Sequence, residues 1–88
     1  MSGMTASAAW NPASTLDGNE TAVDVTVPGA ALGDFAFASF SLDVADMTLS
    51  ADVVAANTVA CVLANNTGGT VDLGAGTVRV KVIPADVI

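Results

Sequence analysis

Apolar and polar side chains alternate with a period of two along most of this 88-residue chain, the spacing of strands with one buried and one wet face. Thr21 to Val27 shows it most clearly, with Val23, Val25 and Val27 on one side and Ala22, Asp24 and Thr26 on the other. Pro28-Gly29 ends that segment, because proline cannot donate to a ladder and glycine accepts the backbone of a tight turn. Thr77 to Ile83 repeats the pattern, placing Val78, Val80 and Val82 opposite Arg79 and Lys81 before Pro84 stops it. Met47 to Val54 alternates Met47, Leu49, Ala51 and Val53 with Thr48, Ser50 and Asp52. The reversal Ala55-Ala56-Asn57 then predicts an antiparallel hairpin with Thr58 to Leu63.

Two further strands are predicted, and one of them is unusual. Met4 to Trp10 forms the first, ended by Asn11-Pro12 and a polar loop through Asp17-Gly18-Asn19. Phe35 to Leu42 is apolar on both faces: Phe35 and Phe37 fall on one side, and Ala36, Ala38, Phe40 and Leu42 on the other. A bulge near Ser39 would instead bring all three phenylalanines to one face, and the pattern leaves both arrangements open. Asp43 to Asp46, Asn65 to Gly69 and Gly74-Ala75-Gly76 read as turns, with Val71 and Leu73 a brief apolar pair between the last two. The prediction is one all-β domain over residues 1–88, a small antiparallel β-sandwich or barrel, jelly-roll-like, of six or seven short strands. Residues 1–9 and 84–88 are candidate extended arms; the apolar end Ala85-Asp86-Val87-Ile88 either lies on a neighbouring chain or frays.

Composition turns this fold into an expectation about partners. Hydrophobic residues make up 52% of the chain, yet most are Ala and Val, and Trp10, Phe35, Phe37 and Phe40 are the only aromatics. A domain this short with such small side chains gains little from a private core, so some apolar surface is expected to be shared between copies. The predicted interface residues are Trp10, Phe35, Phe37, Phe40, Val87 and Ile88. Nine acidic residues against Arg79 and Lys81 give a net charge of −7, which repels nucleic acid and anionic membrane surfaces.

The inventory for chemistry is short. There is no His or Tyr, and Cys61, in the apolar run Val59 to Leu63, has no basic neighbour, so His-dependent nucleophilic mechanisms are closed and Cys61 reads as core. Asp43 and Asp46 lack a predicted cleft, which leaves the chain read as no enzyme, without cofactor or metal. Asp17, Asn19 and Glu20 offer oxygens of the kind calcium prefers, but match no EF-hand spacing and read as a solvated turn. Asn19 and Asn65 stand in sequons that matter only in a secreted chain, and Met1 to Thr5 lacks the basic and long apolar regions of a secretory signal, predicting synthesis in the cytoplasm.

Four stretches, Ala31-Leu32-Gly33-Asp34-Phe35, Ala55 to Val59, Thr67 to Leu73 and Gly76 to Val82, resemble small structural β proteins of tailed bacteriophages: capsid decoration (cement) proteins and related head-fibre modules. The resemblance runs from about Trp10 to Val82, with the apolar Cys61-Val62-Leu63 departing from it. It implies a virion structural protein on the outer capsid surface, forming a homo-oligomer, a trimer being favoured, and bridging subunits of a major capsid protein. The alternative it implies is a receptor- or carbohydrate-binding module of a phage fibre or spike, for which Trp10 is the candidate aromatic.

Overall fold

A computed structural model describes residues 4–85. It is all-β, with β1 (Met4–Trp10), β2 (Glu20–Thr26), β3 (Phe35–Phe40), β4 (Thr48–Ala55), β5 (Thr58–Ala64) and β6 (Gly76–Ile83). These form two open three-stranded sheets, ordered β1-β6-β3 and β2-β5-β4, in which every pairing is antiparallel. Only β4 and β5 are joined by a hairpin; every other connection crosses from one sheet to the other. Residues 4–9, a candidate arm from sequence, pair along their whole length with β6.

The period-two pattern decides which side of each strand is buried. Val78, Val80 and Val82 of the central strand β6 face inward, as do Val59, Cys61 and Leu63 of the central strand β5. Val25, Val27, Val53, Met47, Ala30 and Trp10 complete this core, in which a Leu or Val brings about 1.5–3 kcal/mol when fully buried. Few of these side chains are bulky, so the two sheets share one thin layer.

The three phenylalanines separate cleanly. β3 pairs with β6 without interruption from Phe35 opposite Ile83 to Phe40 opposite Val78, so there is no bulge at Ser39. Phe40 therefore points inward, whereas Phe35 and Phe37 point out and are 44% and 56% exposed. The strand ends at Phe40 rather than Leu42, because Ser41 turns its own groups onto Thr77: its N–H donates to the Thr77 carbonyl and its Oγ accepts from the Thr77 N–H.

Phe40 lies over Gly76, the residue paired with Trp10 across the ladder. A β-carbon added at Gly76 would come within 2.8 Å of the Phe40 ring. Glycine here leaves room for the phenyl to meet the Trp10 indole edge to face, at 5.7 Å between centroids and 71° between planes.

Each end of β5 is tied down by an asparagine. Asn57, in the left-handed region at φ 63°, turns the β4–β5 hairpin and reaches the Val27–Ala30 turn: its Oδ1 accepts from the Gly29 N–H, its N–H donates to the Ala30 carbonyl, and its carbonyl accepts from Val27. Asn65, fully buried, donates from Nδ2 to the carbonyls of Thr15 and Gly69 while its Oδ1 accepts from the N–H and hydroxyl of Thr67. The isolated Thr15–Val71 bridge sits beside it. A buried amide with all these partners gains the strength that a water-free setting gives hydrogen bonds.

Candidate functional site

The candidate site is the outward face of the β1-β6-β3 sheet. Because side chains alternate, the same register that buries the β6 valines sends Arg79 and Lys81 to solvent. Lys81 has Thr5 of β1 on one side and Phe37 of β3 on the other; Arg79 lies between Ser7 and Ser39. These side chains line a shallow open trough of about 600 Å³. Among the described residues, no carboxylate occupies an outward position of this sheet, although the chain has nine acids and only these two cations.

The opposite outer face, on the β2-β5-β4 sheet, has the reverse character. Asp24 and Asp52 both pair with Ala60 of β5, so two carboxylates flank a small central side chain, and Glu20 lies on the same face. The molecule thus presents one face that is aromatic and cationic and one that is anionic.

The predicted interface residues divide between surface and core. Phe35 and Phe37 are exposed on the first face. Trp10, 8% exposed, and Phe40, half-buried, are spent on each other inside the chain, because β1 and β3 flank β6 and converge over Gly76. Neither offers an aromatic platform to a sugar. Val87 and Ile88 lie outside the described residues.

The acidic loops are occupied with holding the chain. Asp17 accepts from the Gly68 N–H, linking the loop before β2 to the loop after β5, and Asp43 accepts from Ala45, where the backbone enters the left-handed region at Ala45 and Asp46. Asp34 accepts from both Ala31 and Ala85. Among the described residues, no three Cys, Asp or Glu side chains gather as a metal site would need. Cys61 is fully buried, and that burial, reinforced by the charge of nearby Asp24, lifts its thiol pKa above the ordinary value.

Sequence reasoning found the exposed phenylalanines and the outward cations separately; what it missed is that β3 and β6 are neighbours. Compared with protein-family models, curated proteins and solved structures, the chain matches none.

Proposed function

We propose that this chain is a structural, non-enzymatic protein that coats a larger protein assembly, and that the assembly is a capsid shell decorated on its outer surface. It acts by protein–protein contact, as a homo-oligomer and with a major capsid protein. The observation that carries the reading is the outward face of the β1-β6-β3 sheet, where Phe35 and Phe37 stand exposed beside the chain's only two cations. Exposed aromatics are enriched at interface centres, and the absence of acids lets that face approach another protein without like-charge repulsion.

Co-sedimentation with empty shells of tailed phages tests the reading. The chain is expected to pellet with shells at a saturating, fixed ratio to the major capsid protein and to raise the temperature at which the shells open. A chain that stays in the supernatant with every shell tried argues against it.

A further inference from the structure

Resting on that reading, we infer that the occupant of the aromatic, cationic face is a second copy of this chain, seated by its anionic face. The two faces lie on opposite sides of one molecule and complement each other in charge: Arg79 and Lys81 on one, Asp24 and Asp52 on the other. Their spacings differ by less than the long Arg and Lys side chains can span. Arg79 and Lys81 are two residues apart along β6, about 7 Å, whereas Asp24 and Asp52 are separated across β5 by two strand spacings, about 9–10 Å. The cation pair runs along its strand and the carboxylate pair runs across its strands. The two pairs come into line when the strands of stacked copies cross steeply, one of the two ways in which sheets pack face to face. In that crossing the Phe37 ring, one strand to the side of Lys81, falls beside the carboxylate pair and meets the strand that carries one of them.

This contact joins different surfaces of identical chains, so it propagates along the sheet normal and builds an open column instead of a closed ring. It is also small. Three strands at about 4.8 Å and seven residues at about 3.3 Å make a face of roughly 330 Å², so each contact buries well under the 1,200 Å² or so of a stable interface. Copies therefore stack where they are already crowded, as on a shell, through many weak contacts acting together.

Sedimentation equilibrium of the purified chain at physiological salt, from micromolar to millimolar, tests the inference. The weight-average mass is expected to climb steadily above 8.6 kDa with no plateau at three copies. The double variants Arg79→Asp/Lys81→Asp and Asp24→Lys/Asp52→Lys should each remain monomeric, and their equimolar mixture, whose mean net charge equals that of the wild type, should regain association. A wild type that stays monomeric at millimolar concentration, or a fixed oligomer that both variants retain, overturns it. If a variant misfolds by circular dichroism, zero-length carbodiimide coupling of the wild type replaces it. Lys81 is the only lysine, so the inference requires intermolecular Lys81–Asp24 or Lys81–Asp52 links in mixtures of isotopically labelled and unlabelled chain, and links elsewhere alone overturn it. Shell binding without stacking would sink this inference and leave the coat reading standing; stacking without shell binding would do the opposite.

Discussion

The side-chain amide of Asn65 donates a 2.8 Å hydrogen bond to the carbonyl of Thr15, fifty residues earlier in the chain and buried like itself. That bond closes the end of the molecule where the loop before β2 meets the loop after β5. Replacing Asn65 with Ala removes one hydrogen bond from each of the two carbonyls it serves, which keep the Val71 N–H and the Thr67 hydroxyl as their other donors, and leaves the Thr67 N–H without its acceptor. Each hydrogen bond lost costs about 0.5–1.5 kcal/mol net, so Asn65→Ala, which gives up several, is expected to lower stability by about 1–3 kcal/mol in urea unfolding. In a domain of this size each kcal/mol lost lowers Tm by about 4–8 °C.

Phe40 and Phe37 should respond differently to truncation. Phe40→Ala opens a cavity above Gly76 and uncovers Trp10, with an expected loss of about 3 kcal/mol and a change in tryptophan fluorescence. Phe37→Ser removes a ring that is mostly in water and should leave stability within about 0.5 kcal/mol. Equal losses for the two would contradict the register of β3 on β6.

Gly76→Val makes a related case without touching either aromatic. The new side chain occupies the space of the Phe40 ring, so the Trp10–Phe40 contact must separate. Overpacking of this kind costs about 1–3 kcal/mol, and Phe40→Ala in the same chain should recover part of the loss by emptying the space. Thermal melts of the two single variants and the double variant give the coupling directly.

Cys61 is predicted to be unreactive toward a thiol reagent until the chain unfolds, then to react once per chain. Its thiol keeps its proton to higher pH in the folded state than the ordinary 9.0. Between those two values the folded chain binds more protons than the unfolded one, so stability falls as pH rises through that window. Denaturant midpoints measured from pH 7 upward should show the decline beginning near pH 9, and Cys61→Ala should flatten it.

What the sequence shows of this fold is whatever alternation controls. Val78, Val80 and Val82 against Arg79 and Lys81 announce both the strand and its buried side, and the Val53–Val59 hairpin follows from a short reversal between two such segments. Pairings between distant segments leave no comparable mark. Nothing local tells β6 to lie between β1 and β3, and so nothing local places Lys81 beside Phe37. Trp10, next to an Asn-Pro break, looks like a surface aromatic until Gly76 and Phe40 are brought to it. Asn57 and Asn65 read as ordinary turn residues because their partners, at Gly29 and Thr15, lie 28 and 50 positions away.

The central position of β6 bears on how the molecule is made. A ribosome delivers β1 and β3 before β6, and until β6 emerges those two strands have no hydrogen-bonding neighbour in their own sheet. The nascent chain can zip β4 to β5 early, but Phe40 and Trp10, which meet over Gly76, wait uncovered for the last strand. Such long-range closure is slow, and the waiting strands are the vulnerable ones in biosynthesis. A stop codon just before Gly76 should therefore yield a translation product recovered in the insoluble fraction, not a smaller folded core.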